Sequence, residues 1–180
     1  MIRQISESEF TEPNLTEGAC LFRTPESLEI GQTIEWGSEV EDGLGPGKFA
    51  VFASPGGLIF SLQHYELSPR KDLMTLYVRP GDLGVHVDQA LIALCLTSGD
   101  LGWLADGARL PPARLIRQDD NGVQFHVGDY PCHADAEATR RQLMAGHHKQ
   151  AYFIEPILKG GPTLLFPADY GGPPKVIPSP

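Results

Sequence analysis

Two short stretches of the sequence place a histidine two residues before a carboxylate, at His64-Tyr65-Glu66 and at His86-Val87-Asp88. On a β-strand this spacing directs both side chains to the same face of the sheet. An imidazole and a carboxylate on one face can bind a divalent metal ion, or the carboxylate can orient the histidine as a general base. The sequence therefore predicts four candidate residues for a catalytic or ligand-binding pocket: His64, Glu66, His86 and His126.

A metal site would need a further histidine from elsewhere in the chain. His86, Asp88 and His147 would supply the two imidazoles and one carboxylate of a facial iron site. Their spacing resembles the HxD…H arrangement of the oxoglutarate-dependent oxygenases, a resemblance that implies an iron centre. The chain is short for that fold, the arginine expected in that family is missing, and Asp88 also fits a helix cap, so we do not assign the family. The zinc spacings CxxC, HxxxH and HExxH are absent from the sequence, and the sequence identifies no cofactor.

Cys132 is the candidate for nucleophilic catalysis. It directly precedes His133, and adjacent residues do not usually form a catalytic pair, because catalytic partners meet from separate elements. Its predicted position at a helix N-terminus would lower the pKa of the thiol through the helix dipole. The chain has three cysteines and lacks a signal-peptide pattern at its first residues. These features predict a reducing, cytoplasmic location.

Negative charge is concentrated in the first quarter of the chain. Residues 1–47 contain ten acidic and two basic side chains, a net charge of −8 out of −9 for the whole chain. A negative field of this kind repels nucleic acid and anionic lipid and attracts a basic surface. The alternative is a solvated acidic surface that only aids solubility. The candidate partner-binding residues are Glu35, Glu39, Glu41 and Asp42.

Turn residues and apolar runs predict the secondary structure. Pro55, Gly56 and Gly57 predict a hairpin over 48–64, and a strand over 73–79 would extend it to a meander. Asp119-Asp120-Asn121-Gly122 predicts a second hairpin between strands at 113–118 and 123–127. Further strands are expected at 19–23, weakly at 30–36, at 151–154 and at 163–166. Trp103 is placed in a loop.

Two helices are expected. The run from Asp88 to Leu96 favours a buried helix capped by Asp88, with a buried strand over 91–96 as the alternative. Residues 133–145 favour a surface helix that ends at Gly146. The predicted fold class is therefore α+β, a mainly antiparallel sheet of about five to seven short strands with one buried and one surface helix. We expect a flexible acidic lead-in over 1–18, a single domain over 19–168, and a tail rich in proline and glycine over 169–180.

Two classes of function follow from these patterns. The first is a regulatory or interaction protein, similar in role to an immunity protein, antitoxin or chaperone, whose acidic N-terminal surface binds a basic protein. The second is a small enzyme or ligand-binding protein that uses a histidine–carboxylate pocket, with or without a metal ion. Convergence of the histidines in one cleft would favour the second class. Nucleic acid and membrane are not expected as partners.

Overall fold

The computed structural model describes residues 2–6, 9–10, 14–31, 33–38, 45–146, 150–166 and 173–178. The described part of the chain has an α+β architecture of eleven strands, in three antiparallel sheets, and two α-helices, which confirms the predicted fold class. The helices are α1 (Leu83–Ala93) and α2 (His133–Ala145). The strands are β1 (Arg3–Ile5), β2 (Thr16–Leu21), β3 (Gly47–Ala53), β4 (Ile59–Tyr65), β5 (Met74–Val78), β6 (Leu101–Leu104), β7 (Ala113–Gln118), β8 (Gln124–Tyr130), β9 (Ala151–Pro156), β10 (Thr163–Leu165) and β11 (Lys175–Ile177).

The predicted hairpin over 48–64 forms the centre of the largest sheet. Strands β3 and β4 pair from Ala53↔Ile59 outward, and the Ser54 N–H donates to the Leu58 carbonyl at 2.8 Å to close the turn. Gly57 has φ +82°, a backbone conformation that glycine adopts without strain. Strand β5 completes the predicted meander, and the six strands lie in the order β1-β3-β4-β5-β2-β6.

The main core lies where α1 packs on this sheet. Alternate side chains of β3, β4 and β5 point towards the helix, as the two-residue period of a strand requires. Phe52, Phe60 and Leu76 are fully buried there, with Val87 and Leu91 of α1. Gly18 of β2 allows the close approach, because a Cβ atom at that position would lie 2.9 Å from a methyl group of Val87.

Helix α1 starts earlier than predicted. It begins at Leu83, and the Asp82 side chain accepts the Val85 N–H at 3.3 Å. Asp88 therefore lies inside the helix and does not cap it, and the buried strand over 91–96 does not form. The early start also needs Gly84, because a Cβ atom there would lie 1.8 Å from the Arg109 carbonyl oxygen.

A second layer is formed by α2 and a three-stranded sheet in the order β8-β7-β9. The predicted hairpin is confirmed: the Asp119 carboxylate accepts the N–H groups of Asn121 and Val123 and closes the turn between β7 and β8. The surface helix over 133–145 is also confirmed. A two-stranded sheet of β10 and β11 follows.

Three local expectations differ from the structure. The described residues of the predicted weak strand over 30–36 form no strand; instead the Gln4 side chain of β1 bonds the N–H and carbonyl of Glu35. Trp103 lies in strand β6, not in a loop. Within the stretch 1–18, expected to be a lead-in, residues 3–5 form β1 and β2 begins at Thr16, with Ile2 and Ile5 buried.

Candidate functional site

The candidate histidines lie on separate elements, and each ring bonds a local partner. His64 of β4 donates its Nε2–H to the Lys71 carbonyl at 3.0 Å, which leaves a buried Nδ1 without a hydrogen-bond partner in the described part of the chain. His86 of α1 donates Nδ1–H to the Arg79 carbonyl at 2.7 Å. The His126 Nε2 atom of β8 lies 2.9 Å from the Asp129 carboxylate. The histidines thus take part in three local contacts rather than one shared site.

The two histidine–carboxylate pairs do not have the geometry that their spacing suggested. Strand β4 ends at Tyr65, so Glu66 lies in the following turn, exposed, and its N–H donates to the Pro46 carbonyl. His86 and Asp88 lie on a helix, where residues two apart point in different directions. The expectation of a shared face is therefore wrong for His86 and Asp88, because the stretch is helical and not extended.

Asp88 is part of a buried polar junction between the two helices. Its side chain, from α1, accepts the N–H groups of His133 at 3.2 Å and Ala134 at 2.9 Å, and so caps the N-terminus of α2. In return, Asp135 in the first turn of α2 accepts the N–H and hydroxyl of Ser98 at 2.7 and 2.6 Å. Burial raises the pKa of Asp88, and the bonds to Ala134 and His133 oppose that shift. This reciprocal capping connects the two layers through buried hydrogen bonds.

Cys132 lies at the centre of the same junction and is fully buried. Burial raises the pKa of the Cys132 thiol strongly, and the nearby carboxylates of Asp135 and Asp88 raise it further. The direction is opposite to the one expected from the helix dipole, because desolvation of a thiolate outweighs the dipole at this depth. Cys132 therefore packs as a small apolar side chain in this structure.

The predicted metal ligands do not form a cluster in the described ranges. No three His, Cys, Asp or Glu side chains among the described residues lie close enough to hold a metal ion. His147 lies outside those residues. The carboxylate of Asp88, the acidic member of the predicted set, accepts a hydrogen bond from the Ala134 N–H of α2.

The acidic first quarter is only partly described. Glu35 is exposed, whereas Glu39, Glu41 and Asp42 lie outside the described residues. Two further acidic side chains of this quarter form ion pairs, Glu9 with Arg3 at 3.3 Å and Glu26 with Lys48 at 2.9 Å. The lysine lowers the pKa of Glu26 to about 2. The role of Glu35, Glu39, Glu41 and Asp42 in partner binding therefore stays a prediction.

Exposed apolar side chains are concentrated in the C-terminal part of the chain. Ten large hydrophobic side chains are exposed in the described residues, and nine of them lie between positions 123 and 177. The exception is Leu67, in the turn after β4. The nine are Val123, Phe125, Val127, Met144, Phe153, Leu158, Leu165, Val176 and Ile177.

The three-stranded sheet carries three of these nine residues, Phe125, Val127 and Phe153, and its two faces differ. On the inner face Ala113 and Leu115 are fully buried beneath α2. By the register of the three strands, the other face, which we call the outer face, consists of Arg114, Ile116, Gln118, Gln124, His126, Asp129, Ala151, Phe153 and Glu155. Phe153 is directly opposite Ile116 and is 45% exposed. Since Ile116 is also partly exposed, the pair forms an apolar centre on this face.

Charged side chains on the outer face contact one another in the same surface. Arg114 forms a bidentate ion pair with Asp129, with N–O distances of 2.8 and 3.0 Å, and His126 forms a hydrogen bond with the same carboxylate. The hydrogen bond from Arg114 lowers the pKa of Asp129 to about 2. Ordered charges beside an exposed apolar centre are the arrangement found at protein–protein interfaces.

Sequence reasoning did not find this face. The sequence predicts a strand over 151–154, and the run Tyr152-Phe153-Ile154 within it is apolar throughout. A sheet covered by one helix must expose one of its faces, so an uninterrupted apolar run in such a sheet signals an exposed apolar residue. Only the packing of α2 decides which residue that is.

Comparisons of the chain with protein-family models, curated proteins and solved structures found no match. Fold and site geometry are therefore the basis for any functional conclusion. In the described part of the chain, neither helix is long and apolar enough to cross a membrane.

Proposed function

We propose that this chain is a protein-interaction module that binds a basic protein, and that the outer face of the three-stranded sheet is its main contact surface. The observation that carries the proposal is the apolar centre of this face, where Phe153, 45% exposed, lies directly opposite Ile116. An exposed apolar patch surrounded by polar side chains is typical of a protein–protein interaction site.

The composition of the outer face supports protein as the class of ligand. Aromatic residues and arginine are enriched at interfaces, and a buried aromatic side chain is a common hot spot. Phe153 and Arg114 provide these residue types on one face of the three-stranded sheet.

The net charge supports the choice of a basic partner. The chain carries −9, most of it in residues 1–47. Electrostatic attraction of this kind speeds association and adds salt sensitivity, while apolar contacts account for most of the affinity. The acidic residues Glu35, Glu39, Glu41 and Asp42 would then steer the partner rather than hold it.

The alternative of an enzyme with a histidine–carboxylate pocket receives less support from the geometry. His64, His86 and His126 each bond a different local group. A shared catalytic role would need their rings to face one substrate.

The test isolates the tagged chain from its source cell, identifies a co-purifying protein, and measures binding of the purified pair. Phe153→Lys should weaken binding by about 30-fold, because removal of a central aromatic hot spot costs about 2 kcal/mol. Leu67→Lys is the matched control: Leu67 is 71% exposed but lies in the turn after β4, outside the outer face, so binding should not change.

Charge reversal tests the electrostatic part separately. Replacing Glu35, Glu39, Glu41 and Asp42 with lysine should lower the association rate and reduce its salt dependence. Equal binding by wild type and Phe153→Lys would contradict the proposed contact surface. Equal salt dependence in wild type and the charge-reversed variant would contradict the steering role alone.

A further inference from the structure

A cavity of about 690 Å³ lies between the segments that follow β6 and β9. One wall is the segment 104–112, which links β6 to β7, and the other is the segment 157–166. Small-molecule pockets in proteins have volumes in this range, about 300–1,000 Å³. The large apolar side chains that line it are Leu104, Leu110, Ile157, Leu158, Leu164 and Phe166.

Both walls are held in place by backbone contacts. The Ala105 N–H donates to the Gly18 carbonyl at 2.9 Å, and the Ile157 N–H donates to the Pro112 carbonyl at 2.9 Å. Gly84 and Gly161 let neighbouring segments approach these walls, because a Cβ atom on either would overlap Arg109 or Pro112. The cavity is therefore preformed, which reduces the entropy lost when a ligand binds.

Two charged side chains of opposite sign belong to the lining, Asp106 and Arg109. Both are exposed, and neither forms an ion pair or a side-chain hydrogen bond with any residue that the structure describes. An arginine in the lining of a partly apolar cavity is suited to a carboxylate, which its planar guanidinium can bind through two parallel hydrogen bonds. Asp106, three residues away, would repel a second negative charge.

We infer that this cavity binds a small molecule with an apolar body and a single carboxylate, and that Arg109 holds the carboxylate. The apolar side chains of both walls cover the body of the ligand. Asp106 discriminates against dicarboxylates and against more highly charged anions such as nucleotides. This binding site is separate from the outer face of the three-stranded sheet, and it does not depend on the proposed protein partner.

The test uses octanoate as the probe and the full chain, with affinity measured by isothermal titration calorimetry. Octanoate should bind, and octanamide and octanedioate should bind at least 10-fold more weakly, because one lacks the charge and the other adds a second carboxylate. Arg109→Gln should weaken octanoate binding at least 10-fold, whereas Arg109→Lys should keep part of it. Arg3→Gln changes the net charge equally but lies on β1, away from the cavity, and should bind as wild type does.

Amide chemical shifts measured by NMR locate the ligand independently of the variants. Octanoate should shift residues on both walls, in the segments 104–112 and 157–166. A cavity of about 620 Å³ on the other side of the Asp106–Arg109 loop is lined by residues 81–84, and an apolar cavity of about 510 Å³ is lined by Ile2 and Ile92. Shifts confined to either of those linings would overturn the inference. So would an absence of binding at millimolar octanoate, equal binding of octanamide, or equal affinity of Arg109→Gln and wild type.

Discussion

The substitution Gly84→Ala has two opposing effects on stability, and the packing around Gly84 determines which effect is larger. Gly84 is the second residue of α1, and alanine inside a helix is favoured over glycine by about 1 kcal/mol. Helix propensity alone therefore predicts a more stable protein. The backbone of Arg109 packs directly on this position: an added Cβ atom would lie 1.8 Å from its carbonyl oxygen and 2.5 Å from its carbonyl carbon.

The overlap outweighs the gain in propensity. Restoring a separation of 3.0 Å from the oxygen would move the two backbones about 1.2 Å apart. The loop that carries Arg109 cannot move freely, because Ala105 bonds Gly18 and Leu110 is buried. Overpacking costs up to about 3 kcal/mol, so the net loss of unfolding free energy should be about 2 kcal/mol. At this chain length the melting temperature should fall by about 4–8 °C.

Urea unfolding followed by circular dichroism and tryptophan fluorescence measures this difference. Gly99→Ala is the control: a Cβ atom there meets only the Thr97 hydroxyl oxygen, at 3.5 Å, so the free energy of unfolding should change by less than about 0.5 kcal/mol. A Gly84→Ala variant as stable as wild type, or more stable, would refute the argument. The close approach of α1 to the Arg109 loop would then not be a feature of the folded protein.

Two further predictions concern buried and exposed carboxylates. Asp88→Ala should lower the free energy of unfolding by about 2–4 kcal/mol in urea titrations, because two buried N–H groups of α2 lose their acceptor; the exposed Asp120→Asn should change it by less than about 0.5 kcal/mol. Asp129 has a folded-state pKa of about 2, below its unfolded value, so its contribution to stability is present above the unfolded pKa and is lost as the pH falls through about 2. The stability advantage of wild type over Asp129→Asn should therefore shrink between pH 5 and pH 2 in thermal melts; a constant advantage would show that the Arg114 ion pair does not exist in solution.

The hairpins were predictable because their signals are local. Pro55, Gly56 and Gly57 fix one turn, and Asp119 with Gly122 fixes the other, whatever the rest of the chain does. The start of α1 was not predictable in this way. Gly84 disfavours a helix by its own propensity, and its place there depends on contact with Arg109, which is 25 positions away in the sequence.

Less of the candidate site than of the fold could be predicted from the sequence. The two-residue spacing of His86 and Asp88 has meaning only once the local structure is known, and a helix changes that meaning. Asp88 looked like a cap for its own helix, and the structure makes it the cap of α2, 45 residues further along the chain. The exposure of Phe153 depends on which side of the sheet α2 covers, and that is decided by tertiary packing.

The reciprocal capping of the two layers bears on how the molecule folds. The N-terminus of α2 is completed by Asp88 from the first layer, and the turn at Ser98 is completed by Asp135 from the second. Each layer, formed alone, would leave backbone N–H groups without acceptors and expose the fully buried Cys132. Partly folded forms with only one layer are therefore disfavoured, so the two layers gain their stability together and unfold as one cooperative unit.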